Sequence, residues 1–143
     1  MTRDLPGGFV LDDDPARIDR ADVHRFLSEE SYWAAGRPRE TVDRLIDAAQ
    51  RVVGLYDPDG RQVGFARTVS DGVSFAYLAD VYVLPELRGR GLGLELVRET
   101  VDRGPYAHCR WMLHTSNAHD LYAKLGFQEP SPSLMQRPPA DAG

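Results

Sequence analysis

The segment YVLPELRGRGLGLELV, Tyr82–Val97, sets an apolar strand end, a proline corner and an amphipathic helix around Arg88-Gly89-Arg90-Gly91-Leu92-Gly93. A tight turn needs one glycine, or two; here three glycines and two guanidiniums share six residues. Glycine lets the main chain approach a ligand with no Cβ in the way. N–H groups at a helix start point outward without intrahelical partners, and the helix dipole is positive there. Arg88 and Arg90 add cationic forks that suit phosphate oxygens. The segment therefore reads either as an anion cradle or as a solvated basic turn that caps a helix. A Walker loop fails because Leu94 stands where lysine is required. A dinucleotide fingerprint fails because its last position is also Leu94. A kinase-type loop joins two strands, whereas this one joins a strand to a helix.

Working outward, Phe75–Leu84 reads as a long strand that Pro85 ends, having no donor for a ladder. Behind it lie RVVGLY and RQVGFARTV, joined by Asp57-Pro58-Asp59-Gly60 as a hairpin. Val42, Leu45, Ile46 and Ala49 recur at helical spacing after Pro38. Val23, Phe26 and Leu27 follow Asp22, read as an acidic cap. Phe9–Leu11 reads as a first strand. After the glycine segment, Gly93, Leu96, Val97, Thr100 and Val101 share one helix face, and Glu95, Arg98, Glu99, Asp102 and Arg103 the other. Gly104-Pro105 stops that helix. CRWMLHT, Cys109–Thr115, reads as a strand, and Asn117 as the cap of a helix bearing Ala118, Leu121, Tyr122 and Leu125. Phe127-Gln128 and Leu134–Arg137 read as last strands. The order is β-α-α-β-β-β-α-β-α-β-β, an α/β protein with one β-α-β crossover.

The length of 143 residues fits one domain, its core over about 8–137 and a loose tail at 138–143. One cysteine, Cys109, allows no intrachain disulfide and suits a reducing, cytoplasmic setting. The first residues lack the basic and apolar regions of a signal peptide. No apolar run approaches a membrane span. A net charge of -5 argues against non-specific nucleic-acid binding and leans towards a cationic substrate. No cysteine pattern or histidine pair suggests a metal site.

Two stretches together resemble the GNAT N-acetyltransferase superfamily. Arg88–Gly93 matches its Arg/Gln-x-x-Gly-x-Gly/Ala acetyl-coenzyme-A motif, and AHDLYAKLGF, Ala118–Phe127, matches its Ala-x-x-Leu-Tyr helix followed by Gly-Phe. The resemblance implies a mixed, largely antiparallel twisted sheet of six to seven strands, flanked by about four helices, with the fourth and fifth strands splayed. It implies acetyl-CoA as donor, coenzyme A as product, and a primary amine of a small molecule or peptide as acceptor. Pantetheine would lie along Val81 and Val83 as an added strand. The N–H groups of Arg88, Gly89, Arg90, Gly91, Leu92 and Gly93 would hold the pyrophosphate. A main-chain N–H near Val83 would polarise the thioester carbonyl. Tyr122 would protonate the leaving thiolate. The family often has asparagine where Thr115 stands. A non-catalytic acyl-CoA sensor and a nucleotide-phosphate binder are the rival readings, and homodimerisation stays open.

Other residues carry two readings each. Tyr122 is a general acid or a core tyrosine. Asp80, a carboxylate inside an apolar strand, binds or deprotonates the amine, or pairs with an arginine such as Arg67. His114 is an alternative base or a structural histidine. Tyr32, Trp33 and Arg37 border an acceptor pocket or pack the first two helices together. Tyr77 and Phe75 on the fourth strand are expected to line the same pocket.

Overall fold

The computed structural model describes residues 1–140, so residues 141–143 of the expected tail lie outside the described residues. Six strands form one mixed sheet in chain order: β1 (Thr2–Asp4), β2 (Val10–Asp12), β3 (Arg51–Tyr56), β4 (Gln62–Ser70), β5 (Phe75–Val83) and β6 (Arg110–Met112). Neighbours are antiparallel from β1 to β5, whereas β5 and β6 are parallel. A parallel pair needs a long crossover. Helix α3 (Leu92–Val101) supplies it; α1 (Arg20–Glu30) and α2 (Arg39–Ala48) precede the hairpin, and α4 (His119–Ala123) follows β6.

The central strands are buried on both faces, as near-continuous apolar runs require. Tyr82 of β5 stacks on Phe26 of α1 with ring centroids 4.0 Å apart. Val83, one residue on and so on the other face, lies against Gly93 at the start of α3. Helices thus cover both faces, around a core that includes Leu11, Leu27, Val53, Phe65, Leu96 and Val97.

Several boundaries differ from the sequence reading. Strand β2 is Val10–Asp12, one residue later than expected, and β1 folds back on it through a Pro6-Gly7-Gly8 turn. Asp19, not Asp22, caps α1, accepting the Asp22 N–H at 3.1 Å; Asp22 instead accepts from Arg25 and from the Tyr82 hydroxyl, each at 2.8 Å. At α4, Thr115 rather than Asn117 takes the free N–H: its hydroxyl accepts from Ala118 at 3.0 Å. The expected strands at Phe127-Gln128 and Leu134–Arg137 do not form. Pro130 and Pro132 remove donors from any ladder there. Leu134 and Met135 are exposed.

Glu99 departs most from the linear pattern. It was expected on the solvent face of α3 but is fully buried. Arg51 Nη2 of β3 donates to it at 3.2 Å, and Arg3 of β1 pairs with it as well. Arg51 also donates to the carbonyls of Glu99 and Thr100 at 3.1 and 3.4 Å, which caps the end of the helix. One helix's periodicity cannot reveal a counter-charge delivered by two distant strands.

Candidate active site

Strands β5 and β6 pair only through Phe75–Tyr77 and Arg110–Met112. Beyond that, β5 runs on to Val83 while the chain after Met112 leaves it, so the expected seven-residue strand ends after three. The cause is a bulge. Phe65 of β4 faces Tyr82 and Arg67 faces Ala79, so Asp80 and Val81 together oppose the single residue Ala66. Asp80 has φ +55°, the one left-handed non-glycine backbone among the described residues. Aspartate tolerates this conformation better than most residues.

Three donors pin the bulge. Trp33 Nε1 donates to Asp80 Oδ1 at 3.0 Å. Arg37 Nη1 and Arg67 Nε both donate to Oδ2, at 3.0 and 2.9 Å. Of the readings the sequence leaves open for Asp80, the geometry carries the ion pair with Arg67, and adds a second arginine and an indole.

Main-chain direction along β5 follows from one bond. Leu84 N–H donates to Val63 O at 2.9 Å, towards the antiparallel side. Alternation turns Tyr82 the same way and leaves the main chain of Val81 and Val83 facing the open edge.

The gap between β5 and the segment after β6 holds a cavity of about 270 Å³. The α1–α2 connection contributes Tyr32, Trp33 and Arg37 to it. Strand β4 gives Arg67, and β5 gives Tyr77 and Leu78–Val81. Leu113, His114, Thr115, Asn117, Ala118 and Tyr122 close the far side. A larger hollow of about 380 Å³ by Asp13, Arg20, Asp47 and Arg51 contains none of the expected residues, and its charged groups are already paired.

Tyr122 is partly buried, and burial, with Tyr32 nearby, pushes its phenol up to about 12. No group among the described residues hydrogen-bonds its hydroxyl. Across the cavity, Tyr32 accepts the Ser116 N–H at 3.0 Å, which holds its own phenol below the ordinary value and ties the α1–α2 connection to the segment before α4. Burial raises Tyr77. The Tyr77 hydroxyl contacts His114 Nδ1, and the Gln136 side-chain amide contacts His114 Nε2.

The glycine segment lies outside this cavity, at the end of β5. Gly89 and Gly91 have φ +85° and +78°, and a Cβ on either would meet open space. Gly91 precedes α3 without a side-chain cap. The N–H groups from Gly89 to Leu94 donate to no acceptor among the described residues. At Gly93 a Cβ would sit 3.9 Å from Val83 and 3.6 Å from Leu121, the neighbour of Tyr122. The row of free donors thus ends where the gap begins.

The sequence reading named most of the lining. It treated Arg67 only as a partner for Asp80, although a charge inside the apolar run VGFARTV is the same signal that singled out Asp80. Thr115, Asn117 and Gln136 gave no such signal.

The sheet thus opens at a bulge, and its free strand edge leads to an uncapped glycine-rich helix start. The sequence model of the Acetyltransferase (GNAT) family matches residues 20–127. A crystal structure of a GNAT-family chain from Xanthomonas campestris pv. campestris superposes with a TM-score of 0.84 at 42% identity, covering 90% of this chain and 92% of that one. FG08082 of Gibberella zeae, named as an acetyltransferase, is 30% identical over 86% of this chain and 81% of its own length. Serotonin N-acetyltransferase 2 of Oryza sativa subsp. japonica is 38% identical over 50% of this chain and 39% of its own length. The chain belongs to the GNAT acetyltransferase family.

No helix among the described residues is long and apolar enough to cross a membrane.

Proposed function

We propose that the protein is an acetyl-CoA-dependent N-acetyltransferase acting on a primary amine. The observation that carries this reading is the Tyr122 hydroxyl, unbonded and held protonated, beside a strand edge whose main-chain groups are unpaired. When bound, acetyl-CoA supplies an acetyl group as a thioester, open to attack by an amine lone pair. The chain's residues fit that donor. Val81 and Val83 offer outward main-chain groups to an extended, amide-bearing ligand, as an added strand would use them. The free N–H groups from Gly89 to Leu94, with Arg88 and Arg90, suit a pyrophosphate. The Val83 N–H polarises a carbonyl laid along the edge.

Proton traffic falls to three side chains. Tyr122, as a general acid, gives its proton to the departing sulfur. His114, the one histidine lining the cavity, draws the ammonium proton through the Tyr77 hydroxyl. Asp80 has its oxygens taken up by Trp33, Arg37 and Arg67, and acts by holding the bulge open.

Tyr122→Phe tests the assignment. Release of free thiol from acetyl-CoA in the presence of an amine should fall by about 10²–10⁴-fold, the usual range for a general acid. The dissociation constant for acetyl-CoA should stay unchanged. Full turnover in this variant would remove Tyr122 from the mechanism.

A further inference from the structure

We propose that the acceptor is an amine that also carries a carboxylate, docked on the guanidiniums of Arg67 and Arg37. This rests on the acetyl-transfer reading above and names the substrate class it serves. The whole chain is acidic, at -5, but its sign does not carry down to the cavity. There, two arginines face a single carboxylate, Asp80.

That carboxylate has little capacity left for a substrate ammonium, with three of its roughly four acceptor sites taken. Its side chain is 4% exposed and already accepts three hydrogen bonds. A simple cationic amine would therefore enter a site holding two fixed cations and no free anion, an arrangement that selects against it. The arginines, by contrast, have donors to spare. Each guanidinium carries five N–H groups. Arg67 spends only Nε on Asp80, and Arg37 only Nη1. Their remaining N–H groups meet no acceptor among the described residues. The Arg67 side chain is 12% exposed and that of Arg37 21%, so bulk water reaches them poorly.

A planar fork with free parallel donors at a cavity wall matches a carboxylate in bidentate geometry. Asp80 fixes both forks in place, which lowers the ordering cost of binding. The cavity volume of about 270 Å³ equals the liquid share of about nine waters, on the scale of an amino acid. Tyr32, Trp33 and Tyr77 supply apolar and aromatic wall for the rest of the molecule.

The test uses the intact protein with acetyl-CoA and matched pairs: each common amino acid against the amine left by its decarboxylation. Thiol release gives kcat/KM for both members. In at least one pair the carboxylate-bearing member should be favoured by on the order of tenfold or more, the effect of a charge-assisted bidentate contact. Arg67→Lys and Arg37→Lys keep the charge beside Asp80 but lose the fork. Both should shrink that preference through KM of the amino acid, with the acetyl-CoA melting shift retained as the folding control. Equal or better use of the decarboxylated amines across all pairs would overturn the proposal. So would a preference that survives in both lysine variants. If no pair is turned over, calorimetric titration decides, with and without coenzyme A: amino acids should bind and their amines should not, and the reverse overturns it. Failure of acetyl-CoA to bind, with amino acids still binding, would strike the acetyl-transfer reading and not this one.

Discussion

Asp80 and Arg67 meet at 2.9 Å across β5 and β4, at the register shift that splays β5 from β6. The pair joins a left-handed backbone to a fixed charge, so the gap is held by electrostatics as well as by strand geometry. Asp80→Asn keeps a residue that tolerates positive φ but loses the ion pairs. It should cost about 3 kcal/mol, at the lower end for breaking a buried pair because Arg37 is partly solvated. Asp80→Ala should cost about 1–2 kcal/mol more, from the left-handed backbone. Equilibrium urea unfolding measures both; equal losses would mean that the backbone at Asp80 is unstrained.

At the glycine loop, the two effects of a side chain can be separated. Gly91→Ala meets open space within the chain but adopts φ +78° at a cost of about 1–2 kcal/mol. Gly93→Ala has no positive φ, and its Cβ makes only ordinary contacts with Leu121 and Val83. Its melting temperature should hold while acetyl-CoA affinity drops at least about tenfold, because the methyl enters space that the ligand needs. Unchanged affinity in Gly93→Ala would move the cofactor away from the start of α3.

How much of this was legible beforehand depends on the range of the interaction concerned. The glycine segment, the hairpin at Asp57–Gly60 and the Tyr122 helix announce themselves through local chemistry, and the structure has them in the expected order. Asp80 was visible as a charge out of place, but its bulge was not, because the partners of its carboxylate, Arg37, Arg67 and Trp33, arrive from other elements. Glu99 was misread for the same reason. The two C-terminal strands expected at Phe127-Gln128 and Leu134–Arg137 do not form; strand formation needs paired donors, which Pro130 and Pro132 interrupt.

Tyr122 gives a pH signature. Its folded phenol is raised to about 12 from an ordinary 10, chiefly by burial, so the fold favours the neutral form. That contribution to stability is complete below pH 10 and is lost as pH rises towards 12. The tyrosinate absorbance of wild type minus that of Tyr122→Phe should isolate one group titrating near 12. Turnover should show no alkaline fall from this residue at pH 10. A difference titration centred at 10 would mean that Tyr122 is solvated and that the burial around it does not hold in solution.

Arg51 and Glu99 stand apart from the site, with side chains 7% and 1% exposed. Glu99→Gln leaves Arg51 with Asp13, at 3.2 Å, as its remaining carboxylate partner, and should cost about 3 kcal/mol in urea unfolding, the lower end for breaking a buried pair. The double replacement Arg51→Met with Glu99→Leu should cost clearly less than the two single losses together, since it removes both buried charges. Additive losses would indicate that the pair is uncoupled.

The most direct measurement of the central claim is thermal unfolding of the protein titrated with acetyl-CoA, with coenzyme A and ATP as competitors. Ligand at about 100 times its dissociation constant should stabilise the fold by about 2.7 kcal/mol. The account predicts a saturable rise in melting temperature that coenzyme A reproduces and ATP does not. No shift at millimolar acetyl-CoA, or an equal shift with ATP, would contradict it and leave the glycine loop as a basic helix start.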